Sequence, residues 1–387
     1  MGPARFRRRV SAGRLVADGY QRGMENPIPG DPARRAFLLR AGVLSLGFVP
    51  FFARGAEPAK PPGKAKPDPY AGAVFVDGEP PLPEEGSFTF AVLPDTQYYS
   101  EKYPETYLAQ TRWLVAQRER RRIEAVFHLG DITNQNTPPQ WTNARKAMQV
   151  LMDAGLPMCL VPGNHDYGPR GNGADRTSLM SSFFPVKDLA AAKHWGGNYD
   201  KESDRSENSW HRLEVGERRF LVLCLEFGPR NDVVRWANAI VAAHPDREVI
   251  LLTHVLIYHD ETRYDWRKYG TKQDWNPHAY VMAKQGGDDV NDGEELWAKL
   301  ISRHENFRLT LNGHVLGDGL GRVVTSTPKG PPVPQVLVNF QMKPNGGDGW
   351  LRLIEMRKDG TMRTFDYSPT RKQTNASPQN QFAIPWA

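Results

Sequence analysis

Apolar residues come in short blocks along this chain, and many of the blocks stop at a polar residue. SFTFAVLPD (87–95) has the length and the aromatic and β-branched content of a buried strand, and an amphipathic helix pattern follows it to about Arg122. The unit then repeats. EAVFHLGD (124–131) reads as a second strand, and PPQWTNARKAMQVLMDAG (138–155) as its helix, opened by prolines and closed by Gly155. MCLVPGNHD (158–166), RFLVLCLEF (219–227), REVILLTHV (247–255) and FRLTLNGHV (307–315) continue the strands, with helix patterns at 231–244 and 292–304. Alternation of this kind predicts an α/β fold with a largely parallel sheet. Three later blocks, PQVLVNFQ (334–341), GWLRLIEMRKDG (349–360) and TMRTFDYS (361–368), have no helices between them, and a Lys-Asp-Gly turn joins the last two. They are expected to form a second sheet packed face to face on the first.

Asp95, Asp131, Asn164, His254 and His314 all stand just beyond the C-terminal ends of such blocks. Open α/β sheets bind ligands at that edge. Taken singly, Asp95 reads equally as a helix cap, Asp131 as a turn residue and each histidine as a structural one. Together they mix carboxylate, amide and imidazole donors, which is the set a divalent first-row cation prefers.

In order, the motifs are Asp95-Thr96-Gln97, Gly130-Asp131, Gly163-Asn164-His165-Asp166, His254 and Gly313-His314-Val315-Leu316. This series resembles the calcineurin-like metallophosphoesterases, whose pattern is Asp-x-His, Gly-Asp, Gly-Asn-His-Asp, a lone His and Gly-His-x-His. The likeness covers about residues 87 to 367. It implies a four-layer sandwich of two face-to-face central β-sheets flanked by helices. It also implies one or two divalent ions (manganese, magnesium, iron or zinc), held by Asp95, Gln97, Asp131, Asn164, His254 and His314. The substrate is then a phosphomonoester or phosphodiester, with His165 as general acid and Asp166 as its orienting partner or as a loop cap. Gln97 and Leu316 replace two histidines that serve one metal in the family, so that position is weakened while the other keeps all its ligands. Asp318 reads as a replacement donor or as a turn residue. The alternative function is a binding protein of this fold with little hydrolytic activity.

Charge and composition sharpen the domain limits. Residues 1–55 hold 10 Lys/Arg against 3 Asp/Glu, leaving 40 against 41 in the rest, so the folded body has no net basic character to hold a stable nucleic-acid complex. The run RERRR (118–122) reads as a solvated helix end. Arg34, Arg35, Phe37, Leu38 and Arg40, followed by a mildly apolar stretch of 13 residues from Ala41 to Ala53, resemble a twin-arginine export signal with cleavage near Ala56. The expected organisation is a signal region over 1–56, a Pro/Lys-rich linker over 57–86, the catalytic domain over 87–370 and a C-terminal tail over 371–387. The expected partner is the twin-arginine translocation machinery and the expected location periplasmic or extracellular, with no membrane span in the mature chain. Cys159 and Cys224 sit in apolar blocks and read as buried free thiols, although one bridge is open to them in an oxidising compartment. DDVNDGEE (288–295) has Val290 where a calcium loop needs oxygen and reads as a helix cap. The long segment after His254 is a candidate binding loop, in which Tyr258, Tyr264, Trp266, Tyr269 and Trp275 can stack on a ring and Arg263 or Arg267 can meet phosphate, or the same residues can simply pack the loop down.

Overall fold

The computed structural model describes residues 68–287 and 289–386, so the signal region and the first part of the linker lie outside the described residues. The strands are, in chain order, β1 (Phe75–Asp77), β2 (Phe88–Leu93), β3 (Ile123–His128), β4 (Met158–Leu160), β5 (Trp195–Asn198), β6 (Ser209–Val215), β7 (Arg218–Leu225) and β8 (Glu248–Thr253). They continue with β9 (Phe307–Asn312), β10 (Leu320–Thr325), β11 (Val333–Val338), β12 (Leu351–Met356), β13 (Thr361–Ser368), β14 (Gln373–Asn375) and β15 (Ala383–Pro385). One sheet runs β1-β14-β13-β12-β2-β3-β4 with β15 added on β13, and the other runs β10-β11-β9-β8-β7-β6-β5.

Each sheet has a parallel heart, β2, β3 and β4 in one and β7, β8, β9 and β11 in the other, and antiparallel flanks. Side chains alternate across a strand, so every central strand serves two cores. Phe90 and Val92 of β2 meet Phe127, Val222, Ile250 and Leu311 between the sheets. Ala91 and Leu93 of the same strand face the helices Pro104–Gln117 and Pro138–Asp153 through Tyr107, Leu114, Trp141 and Met148. The outer face of the second sheet is covered by the helices Asn231–Ala242 and Gly293–Lys299 through Val233, Ala237, Leu296 and Trp297. Two covered faces explain why the blocks are apolar throughout rather than alternating. The four layers are those expected.

The assignment of strands to sheets differs from expectation. The blocks without helices do not form a sheet of their own. β11 joins the second sheet parallel to β9, and β12 and β13 extend the first, antiparallel to β2 and to each other. A short connection without a helix suffices for an antiparallel neighbour, so nothing forces these strands elsewhere. The block LRLIEM carries two charged residues, yet all of β12 is buried, and Arg352 forms a two-pronged ion pair with Asp366 of β13 at 2.7 Å on each arm.

The chain ends differ too. The expected tail supplies β14 and β15, and the described part of the expected linker supplies β1, paired with β14, and Tyr70, whose hydroxyl donates to Asp348 at 2.5 Å. The run RERRR is not wholly solvated. The helix before it ends at Gln117, and Arg121 is 2% exposed, donating to Glu79 and to the carbonyls of Pro80 and Pro81. Three consecutive carbonyl and carboxylate acceptors in a proline-bounded segment need a donor, and a guanidinium satisfies them together. Cys159 and Cys224 are buried and unlinked. No described helix is long and apolar enough to cross a membrane.

Candidate metal centre

The C-terminal edges of the two parallel hearts meet, and the polar residues beyond them converge. Asp95, Asp131 and Asn164 come from the first sheet, and His254 and His314 from the second. All five are at most 5% exposed. His254 Nε2 lies 3.3 Å from Asp131 Oδ1, 3.2 Å from Asn164 Oδ1, 3.1 Å from His314 Nδ1 and 4.0 Å from Asp95 Oδ1. Asp131, His254 and His314 bring one ligand atom each within 4.8 Å of one another.

Both imidazoles are aimed by their other nitrogen. His254 Nδ1–H donates to the Leu129 carbonyl at 2.7 Å, and His314 Nε2–H donates to the Trp275 carbonyl at 3.0 Å. Each ring then turns its remaining nitrogen to the centre, the arrangement by which outer hydrogen bonds orient metal ligands. The carboxylates are fixed by backbone donors: His314 N–H to Asp95 at 3.0 Å and His165 N–H to Asp131 at 2.9 Å. Asp95, Asp131 and His314 have φ of 25°, 47° and 75°, left-handed conformations that these contacts hold in place.

The motif glycines have a steric cause. A Cβ on Gly163 would stand 2.1 Å from Asp131 Oδ1, one on Gly313 would stand 2.2 Å from Asp95 Oδ2, and one on Gly130 would stand 2.6 Å from His254 Nδ1. Backbone passes so close to the ligands that no side chain fits.

Burial works against charge on His254, yet the Asp131 and Asp95 carboxylates beside it push its pKa up to about 9. Burial pushes Asp95 well above the usual carboxylate range, and the Asp131 charge adds to this. Burial also acts to raise Asp131, but His254 and His165 outweigh it and hold this carboxyl below its ordinary value. His314 falls to about 3 through burial and the neighbouring His254.

Gln97, at 1% exposed, carries both amide atoms buried without a hydrogen bond. An orphaned buried amide two residues beyond Asp95 fits a metal ligand, since such groups are otherwise satisfied. Leu316 is half-buried, and Asp318 is exposed with Oδ1 accepting from Leu320 N–H at 3.1 Å, so Asp318 is the turn residue and not a replacement ligand. The donor set, the glycine clearances and the orphaned amide together fit a divalent ion.

His165 is half-buried, and its Nδ1–H donates to the Asn134 carbonyl at 2.9 Å, leaving Nε2 free. Asp166 is fully buried and accepts from Gly163 N–H, Ile132 N–H, Thr133 N–H and the Thr133 hydroxyl, all at 2.8–2.9 Å. It therefore ties the Asp131 loop to the Asn164 loop and spends its oxygens there rather than on the His165 ring. Burial and the Asp131 charge raise it to about 6.

His128 belongs to none of the motifs above. This buried histidine at the end of β3 accepts from Gly130 N–H at 3.2 Å and faces the Thr96 hydroxyl at 2.9 Å, linking the loops that carry Asp131 and Asp95. Its place in FHLGD, two residues before the motif glycine, was the available signal. In the second acidic-histidine group, Asp292 and Glu295 form the capping box of the helix Gly293–Lys299, as expected for DDVNDGEE, and His278 Nε2 meets Glu295 at 2.8 Å.

Stacked mixed sheets with oxygen donors from one edge and imidazoles from the other define a metal-binding α/β sandwich. The chain belongs to the calcineurin-like phosphoesterase family, whose pattern matches residues 88–317. It is 27% identical over 314 residues to the uncharacterized protein YvnB of Bacillus subtilis (strain 168), an alignment that takes in 78% of this chain and 21% of that protein. The chain thus spans about a fifth of that relative's length. Among solved structures, purple acid phosphatase PPD1 from yellow lupin (Lupinus luteus) seeds shares 13% identity at a TM-score of 0.44, over 79% of this chain and 55% of that one. GAP50, the anchor in the inner membrane complex of Plasmodium, shares 11% identity at a TM-score of 0.40, over 78% and 88%.

Proposed function

We propose that this protein is a metal-dependent phosphoesterase that acts outside the cytoplasm, after export by way of the twin-arginine pattern at Arg34 and Arg35. The observation that carries the hydrolytic reading is the convergence of Asp131, Asn164, His254 and His314 on one point. These four would hold one divalent ion, and Asp95, Gln97 and Asp131 would be the donors for a second. An ion in such a set neutralises phosphoryl oxygens and acidifies a water, the two difficulties of phosphoester hydrolysis.

The chain's own groups do the rest. The Asn134 carbonyl holds the His165 ring through Nδ1, so that Nε2 can give a proton to the departing ester oxygen. Asp166 keeps the two loops in register through its four accepted bonds. Asn164 contributes a neutral oxygen, which leaves net positive charge for an anionic substrate.

One observation favours a second reading, a binding protein of the same fold with little turnover: Leu316 offers no donor, and Asp318 points into a turn. Assay of the chain against 4-nitrophenyl phosphate and its bis ester with manganese, magnesium, iron or zinc separates the two. Hydrolysis that vanishes on chelation and returns with added metal supports the enzyme. Tight metal binding with no turnover under any metal supports the alternative.

A further inference from the structure

The segment after His254 brings many aromatic residues near the centre, and the structure assigns most of them to other work. Tyr258 and Tyr264 are 6% and 0% exposed and belong to the core under the second sheet. Trp266 stacks on His278, and Arg263 is held between Glu294 and the Trp297 ring. Trp275 is different. Its indole remains 40% exposed although its own carbonyl takes the Nε2–H of His314. Its ring centroid stands 6.3 Å from that of His314, nearly perpendicular at 87°. Tyr280 stands 6.4 Å from the same imidazole, backed by Phe227 at 4.9 Å, and its hydroxyl makes no hydrogen bond among the described residues.

A bulky residue at φ 62° is held there only when its surroundings over-determine it, and here the bond to a metal ligand does so. The same bond fixes the Trp275 backbone against a residue of the centre, and its large, open, apolar ring stands beside that residue's imidazole. We infer that Trp275, with Tyr280 flanking, is a stacking platform for the leaving group, and that the substrates are phosphoesters whose alcohol carries a planar ring, a nucleoside or an aryl-substituted alcohol. This rests on the hydrolytic reading above and narrows its substrate.

The test compares esters that differ only in the ring. Adenosine 5′-monophosphate and ribose 5-phosphate share phosphate, sugar and leaving oxygen; benzyl phosphate and cyclohexylmethyl phosphate share a primary leaving alcohol and differ in whether its ring is planar and aromatic. The full chain loaded with manganese should give kcat/KM at least about fivefold higher for the planar member, the lower end of what stacking a base on an aromatic side chain contributes. Discrimination in both pairs assigns the platform to any planar ring, and discrimination in the nucleoside pair alone assigns it to nucleotides. In Trp275→Ala the ratio should fall to about one, and in Trp275→Phe it should largely persist. A ratio is insensitive to general damage at the centre, and the wild-type ratio needs no variant to fold. A wild-type ratio near one, or a ratio that Trp275→Ala leaves unchanged, overturns the platform. If neither these esters nor 4-nitrophenyl phosphate and its bis ester are hydrolysed with any metal, it is the hydrolytic reading that fails. The platform is then judged by calorimetric affinities of adenosine 5′-monophosphate and ribose 5-phosphate, with the same ratio expected and the same equality overturning it.

Discussion

The two halves of the metal centre are built on different principles. Around Asp131, Asn164, His254 and His314, each imidazole is locked by a hydrogen bond at its far nitrogen, to Leu129 and Trp275, and the Asp131 carboxylate by a backbone donor. Around Asp95 and Gln97 only the carboxylate is locked, by His314 N–H, while the Gln97 amide makes no hydrogen bond among the described residues and Leu316 adds nothing. The first half is organised before any ion arrives. The second carries a buried, unsatisfied amide, which costs roughly 1–3 kcal/mol until a ligand meets it. Preorganisation, more than the number of oxygen atoms, separates a tight site from a weak one.

The largest expected effect comes from cutting the organised half. His314→Ala or Asn164→Ala should remove its metal and lower turnover by more than the roughly 10–100-fold that loss of a mere outer hydrogen-bond partner costs. The fold should survive, since both side chains sit at the sheet edge, and circular dichroism beside metal analysis checks this. A variant keeping a tenth of the activity argues against these ligands. Next, His165→Gln should leave metal content unchanged and lower turnover by about 10²–10⁴-fold, more for a poor leaving group than for 4-nitrophenolate. Equal losses with both esters would remove His165 from the acid role.

Asp166→Asn tests the brace between the loops. An amide nitrogen would face N–H donors where a carboxylate oxygen now accepts, and bonds to a charged group are worth about 1.5–3 kcal/mol each. Denaturant titration should show a loss of at least that size, with metal affinity falling alongside. Unchanged stability would show that the four bonds are not what holds the loops together.

How far the chain could be read from its residues follows the same division. The gathering of polar residues at the strand ends was legible because each motif is local: a strand, a glycine forced by a close approach, then a polar side chain. Gln97 was legible as a substitution in a known pattern, but its orphaned state was not, because satisfaction depends on neighbours distant in sequence. The division of strands between sheets was hidden for a related reason. LRLIEM carries two charged residues, and the Asp366 that pairs with Arg352 lies 14 residues on. Arg121 looked solvated because its acceptors at 79–81 lie about 40 residues upstream. Trp275 could be named as one aromatic among five, but only its exposure and its bond to His314 set it apart.

The smallest changes should come from repairing the weak half. Gln97→His with Leu316→His replaces an amide and an aliphatic chain with imidazoles, which suit zinc and its neighbours better than magnesium or manganese. Such a repair acts on metal preference and affinity first, with little effect on the fold, since Leu316 is only half-buried.

Calorimetric titration of the metal-stripped wild-type protein with manganese tests the asymmetry most directly. The account predicts one tight site and a second that is clearly weaker or unfilled, with the double histidine variant drawing the two together. Two equally tight sites in the wild type would contradict it.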